Sequence, residues 1–386
     1  MVGKFSHRSH STPLVVAGAG RSAFRLPHGT DTESFVPPRR WQGMADVEFG
    51  LDTFGALTED DNGELITHAQ TVRDVVADGV LADSVGLDFF GVGEHHRPDF
   101  AVSSPEMVLA AIAGRTERIR LGSAVTVLSS DDPVRVFERF ATLDAVSNGR
   151  AEIVAGRGSF IESFPLFGYD LSDYEVLFEE KLELLAKLLR DQPVTWQGTT
   201  RSALSNQQVF PSTEKPIPAW VGVGGSPESV VRTAKYGFSL FLAIIGGQPE
   251  RFAPYIDLFH RAQDEYGIEH RPIAVHSPGL VAESDELARE IVEPGWTAMR
   301  RRMGRERGWP PPQPGDFEAE IETGALYVGS PETVAKKIAT TITALGIDRF
   351  DLKYDQSKVT HETRQTSIGL YGEKVVPMVK DMLAGS

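Results

Sequence analysis

Ala151-Glu152-Ile153-Val154-Ala155-Gly156-Arg157-Gly158-Ser159-Phe160 sets a short apolar run directly against two glycines, an arginine and a serine. The run has the length of a buried strand. Glycines let a backbone come close to a ligand. An arginine between them can fork onto a phosphate with two charge-assisted hydrogen bonds. The stretch reads as the anion-gripping end of a barrel strand. Its plain alternative is a tight turn with a solvated arginine, and the flanking sequence decides between the two.

Upstream, residues 47–54, 87–93 and 119–128 read as strands, alternating with helices over 68–85, 104–118 and 132–147. Downstream, 160–171 reads as a loop rich in aromatics. Ser172-Asp173-Tyr174-Glu175 has the form of a capping box and opens a helix ending near 190. Residues 193–210 form an irregular or hairpin excursion, and strands resume at 218–223, 238–245, 272–281 and 349–354. Helices are expected over 249–266, 284–304, 331–345 and 362–383. Residues 305–325, with Pro310-Pro311-Pro312, read as a flexible insertion.

Ser104-Pro105, Asp132-Pro133, Ser226-Pro227 and Ser330-Pro331 share one device: a capping side chain before a proline at the first helical position. Strand, short loop and capped helix recur about eight times, the pattern of an α/β fold closed as a (β/α)8 TIM barrel. Insertions are expected after strand four and before strand eight. A doubly wound open sheet is the alternative.

Residues 1–43 lack a sustained period and are read as an unstructured or misassigned N-terminal leader, with 44–386 as a single barrel domain. Gly18-Ala19-Gly20-Arg21-Ser22-Ala23 fits a dinucleotide-binding pattern. No helix can follow it through Pro27 and Gly29, so the phosphate-binding context is missing.

The 386-residue chain has a formal net charge of −15 and no cysteine. The acidic balance argues against nucleic acid, which needs a basic face. Without cysteine there are no disulfides, thiolate metal sites or cysteine nucleophiles. No apolar stretch approaches the roughly 20 residues of a membrane helix, and no signal peptide is evident. A cytoplasmic protein without a membrane partner is expected.

In a barrel the active site lies at the carboxyl ends of the strands. That rule selects Glu94-His95-His96, Thr126–Ser129, Arg157-Gly158-Ser159, Gly224-Gly225-Ser226, His276 and Lys353-Tyr354-Asp355. Gly224-Gly225-Ser226 opens a helix, whose free N–H groups and positive dipole end suit a phosphate. Arg157, one strand earlier, belongs to the same rim. Glu94-His95-His96 has three readings: metal ligands, a general acid or base, or histidines hydrogen-bonded for structure. No second ligand motif supports a metal. His95 is the residue expected to face the site, with His96 pointing the other way.

These motifs carry a resemblance. Glu94-His95-His96, Leu121-Gly122-Ser123-Ala124-Val125-Thr126-Val127-Leu128 followed by Asp132-Pro133-Val134-Arg135, Gly156-Arg157-Gly158 and Gly224-Gly225-Ser226 occur in the order seen in the bacterial luciferase-like monooxygenases. Ser159–Gly168 resembles the FMN-type branch of these flavin-dependent oxidoreductases. The likeness covers residues 46–382. It implies reduced FMN as cofactor, drawn from a separate flavin reductase, with molecular oxygen and a small organic substrate, in a homo-oligomer. It implies that Arg157, Gly158, Ser159, Gly224, Gly225 and Ser226 hold the flavin phosphate. Ala124 and Val125 would lie by the flavin ring, where relatives can carry a cis peptide, and His95 would be the catalytic residue. Gly156 stands where a cysteine would be near the flavin, and no aldehyde pocket is identifiable, so light emission is not implied. The rivals are hydride transfer with a deazaflavin and a flavin-binding protein without turnover.

Overall fold

The structure, a computed structural model, describes residues 47–385 apart from Asp61, Ser159, Asp191, Trp309, Gln356 and Ser357. The leader expected over 1–43 lies outside the described residues.

Strands β1 (Glu48–Thr53), β2 (Phe89–Val92), β3 (Arg120–Ser123), β4 (Thr126–Val127) and β5 (Ala151–Gly156) come first. The pair β6 (Val194–Trp196) and β7 (Leu204–Gln207) forms an antiparallel hairpin of its own. Then follow β8 (Ala219–Val223), β9 (Ser239–Ala243), β10 (Ile273–Val281), β11 (Tyr327–Gly329) and β12 (Arg349–Lys353). The main sheet runs β12-β1-β2-β3-β5-β8-β9-β10, and β10 pairs β12 to close it, with every pairing parallel. β4 continues β3 along β5, and β11 adds to the far end of β10. This is the expected eight-stranded barrel. Every residue of β2 and β5 is buried, as parallel strands covered by helices require.

The helices are α1 (His68–Ser84), α2 (Pro105–Ala113), α3 (Pro133–Ser147), α4 (Ser163–Phe167), α5 (Tyr174–Arg190), α6 (Pro227–Lys235), α7 (Ala253–Tyr266), α8 (Asp285–Arg307), α9 (Asp316–Glu322), α10 (Pro331–Leu345), α11 (His361–Leu370) and α12 (Val376–Ala384). Asp132, Ser226 and Ser330 cap as expected, each accepting from N–H groups of the first turn. Ser104 makes no such bond.

Five expectations need correction. The capping box at Ser172 does not form; Asp170 caps a short 3-10 turn instead, and Glu175 is drawn away to arginines. The 160–171 loop contains α4, and the 305–325 insertion contains the end of α8 and all of α9. α8 carries Pro294 within it. The expected strand over 119–128 is two pieces, β3 and β4, separated by a cis Ala124–Val125 peptide. The final expected helix is divided by a π turn at Tyr371–Val375.

The barrel interior is layered. Phe89, Val154, Trp220, Phe241 and Ala274 form one apolar cluster. Within it the buried Arg349 guanidinium lies 4.0 Å from the centre of the Phe89 ring and 4.4 Å from that of Trp220. Arg349 pairs with Glu152 at 2.7 Å and Asp351 at 3.1 Å. A buried charge must be paired in this way. Nearer the carboxyl ends the lining turns to Gly156, Gly222 and Ala243, and a cavity opens.

Candidate functional site

The cavity at the carboxyl ends holds about 530 Å³. His95, Ala124, Val125, Arg157, Gly158, Gly224, Gly225 and Ser226 all line it. Ser159 lies outside the described residues.

At one end the chain leaving β5 carries Arg157. Its Nη1 donates to Glu175 Oε1 at 2.5 Å and its Nη2 to Ser229 Oγ at 3.3 Å. The guanidinium lies 5.3 Å from the Tyr174 ring centre, and the Tyr174 hydroxyl donates to the Gly158 carbonyl at 3.2 Å. Gly225 has φ +107°, a region L side chains rarely enter, and it turns the chain into α6. Ser226 Oγ accepts from the Ser229 N–H at 3.3 Å. Arg157 thus meets a helix N-terminus, two anion-attracting devices at one place. The Glu175 carboxylate, largely exposed, holds the anionic position between Arg157 and Arg232.

Along one wall Val125 forms a shelf. A Cβ on Gly156 would come within 2.5 Å of Val125 Cγ2, and one on Gly222 within 2.9 Å of Val125 Cγ1, so only glycine admits the valine there. Glu94 holds the segment in place. Its N–H donates to the Val125 carbonyl at 3.2 Å, and its Oε2 accepts from the Val127 N–H at 2.8 Å. Its other oxygen bonds His96 Nε2 at 2.8 Å.

The remaining wall is aromatic and imidazole. His95 packs against Phe54 at 5.0 Å, Phe100 at 4.2 Å and Phe160 at 5.4 Å between ring centres. Burial among these rings pushes the His95 pKa down to about 4, despite Asp355 pulling the other way; the imidazole is neutral at pH 7. Phe54 also stacks against His276 at 5.7 Å. Asp355 fixes the turn that carries Phe54, accepting from Thr53 Oγ1 at 2.8 Å and the Phe54 N–H at 2.9 Å. Burial works against the Asp355 charge, but Lys353 and these bonds hold its pKa below the usual value.

His96 does not point away. It lines the cavity with His95, because β2 ends at Val92 and strand alternation no longer applies beyond it. Arg97 stands over Phe160 at 4.3 Å and pairs with Asp99 at 3.0 Å, Glu162 at 2.5 Å and Glu306 at 3.0 Å. It ties the loop after β2 to both insertions. Among the described residues no group of three or more potential ligands is placed to hold a metal, and no helix is long and apolar enough to cross a membrane.

Residues 53–349 match the family model of luciferase-like monooxygenases. The chain belongs to this family. Limonene 1,2-monooxygenase of Rhodococcus erythropolis is 30% identical over 66% of this chain and 68% of its own length. The barrel superposes on the oxygenating constituent of 3,6-diketocamphane monooxygenase from Pseudomonas putida, solved with FMN, with TM-score 0.70 and 19% identity over 86% of this chain and 98% of that one. It also superposes on the coenzyme F420-dependent tetrahydromethanopterin reductase of Methanopyrus kandleri, with TM-score 0.63 and 18% identity over 86% and 99%. At these identities the two structures share the fold. The protein is an oxidoreductase of the luciferase-like class.

The cavity has a donor set suited to a flavin-type cofactor. Arg157, Ser229 and the α6 N-terminus present cation and donors for a phosphate, and Val125 presents an apolar surface in the same cavity. The sequence reading missed Asp52, Phe54, Arg97, Tyr174 and Ser229. Asp52 left a usable signal: a lone carboxylate in an otherwise apolar strand end, Phe49-Gly50-Leu51-Asp52-Thr53-Phe54, is costly unless partnered.

Proposed function

We propose that the protein is a monooxygenase that takes reduced FMN from a separate reductase and uses molecular oxygen to oxygenate a small organic substrate. The observation that carries this reading is the meeting of Arg157 with the α6 N-terminus at one end of a cavity whose other walls are Val125, Phe54 and His95. Reduced FMN, when bound, supplies the electrons for the chemistry of oxygen. Arg157, Ser229 and the Gly224–Ser226 turn bind the phosphate. Val125 supports the ring on one face. Phe54, Phe100 and Phe160 exclude water around His95. His95, neutral at working pH, serves as the proton acceptor and donor of the site. That FMN occupies the P. putida relative supports the cofactor assignment.

The second reading is hydride transfer with a deazaflavin, favoured by the shared fold with the coenzyme F420-dependent reductase. Titration of the protein with reduced FMN and with coenzyme F420, followed by a screen for oxygenated products, separates the two. Tight FMN binding with an oxygenated product supports the first. Selective coenzyme F420 binding with no oxygen uptake replaces it.

A further inference from the structure

His276 lines the cavity and meets Asp52, 224 residues away in the chain. His276 Nδ1 lies 2.5 Å from Asp52 Oδ2, and both side chains are buried. A carboxylate accepts, so in the neutral ring it selects the tautomer with the proton on Nδ1 and the lone pair on Nε2. Nε2 takes part in no hydrogen bond among the described residues, and His276 lines the cavity. Phe54 stacks on the ring at 5.7 Å, and Phe241 lies tilted to it at 6.0 Å. This is how a proton-transferring imidazole is held: one nitrogen fixed by a carboxylate, the other open to the reacting group.

The rest of the lining narrows the partner. Apart from Arg157 the lining carries no lysine or arginine among the described residues; it includes the Glu94 and Glu162 carboxylates and the rings of Phe54, Phe160 and Phe241. A carboxylate or phosphate substrate would find no second cation there, whereas a flat neutral ring has stacking surfaces. We propose that His276, oriented by Asp52, is a second catalytic proton-transfer group, acting on an uncharged aromatic or enolic substrate through its ionisable hydroxyl. In the step, the substrate O–H bond breaks with its electron pair left on oxygen. The proton forms a bond to Nε2, and the imidazolium is paired with the Asp52 carboxylate. No electron is gained or lost. The proposal rests on the monooxygenase reading, to which it adds the substrate class.

The charged and titratable groups around His276 are Asp52 on β1, its register partner Asp351 on β12, and, beyond Phe54, His95 and the Lys353–Asp355 pair. The probe is 4-nitrophenol, whose phenolate has its own visible band. It is added to the FMN-loaded full chain at a pH one unit below its own pKa, where about a tenth of the free probe is ionised. Difference spectra are recorded for the wild type, His276→Gln and Asp52→Asn, with FMN affinity measured on the same samples. The expected result is mostly phenolate on the wild type. On both variants it falls to about the free value, with FMN affinity within about threefold. Equal ionisation on wild type and variants, binding without ionisation, or no binding of the probe overturns the proposal. Loss of FMN affinity in both variants also overturns it, since His276 would then be holding the pocket together. Failure of the wild type to bind FMN at all counts against the monooxygenase reading instead.

Discussion

Arg157 and His95 set the local chemistry through their neighbours. Arg157 is shared between Ser229 and the exposed Glu175, so an incoming phosphate has to displace a carboxylate. An exposed ion pair is worth about 0.2–1 kcal/mol. Glu175→Gln is therefore expected to tighten FMN binding by about 1.5- to fivefold, measured by flavin fluorescence; weaker binding would show that Glu175 helps to hold the flavin. His95 differs in kind. Its pKa of about 4 lies below the 6.5 of a free imidazole, so between these values the unfolded chain binds the proton and the folded chain does not. His95 therefore lowers stability as pH falls through that window, by at most about 3 kcal/mol, and has no such effect above it. Melting temperatures from pH 7 to 4.5 for wild type and His95→Asn should show a steeper acid decline in the wild type. Parallel curves would mean that the imidazole is not buried as described.

At the scale of elements, the cavity depends on how the β3–β4 segment seats against β5 and β8. Val125 fills space that side chains at Gly156 and Gly222 would occupy. Gly156→Ala overpacks this contact at a cost of about 1–3 kcal/mol. A melting temperature lowered by several degrees and weakened FMN binding are expected together; an unchanged pair of values would mean that Val125 yields freely and is no shelf. The same scale shows what was legible. The proline-capped helices were readable because a cap is a local device: Asp132, Ser226 and Ser330 bond N–H groups two or three residues on. The alternation of strand and helix then implied the barrel, and the barrel implied the rim where Arg157 and Gly224–Ser226 gather. Glu175 was misread because its true partners, Arg157 and Arg232, lie 18 and 57 residues away. His96 was misplaced because period-two alternation was carried past the end of β2. The Asp52–His276 contact is invisible to any local pattern, since barrel closure alone brings β1 and β10 within reach through β12.

At the scale of the whole barrel, the candidate site lies at one rim, and Arg97 ties both insertions there, reaching Glu162 in one and Glu306, at the end of α8, in the other. A rim that grips a flavin by its phosphate must distinguish FMN from riboflavin. The two ligands share the ring and differ in the phosphate. Arg157→Lys keeps the charge and removes the bidentate fork. The measurement is the dissociation constant of each ligand for wild type and Arg157→Lys, by fluorescence titration of the full chain. FMN is expected to bind the wild type more tightly than riboflavin. Arg157→Lys is expected to weaken FMN binding by about ten- to a hundredfold and to leave riboflavin nearly unchanged. Equal losses for the two ligands, or no preference for FMN in the wild type, would contradict a phosphate site at Arg157.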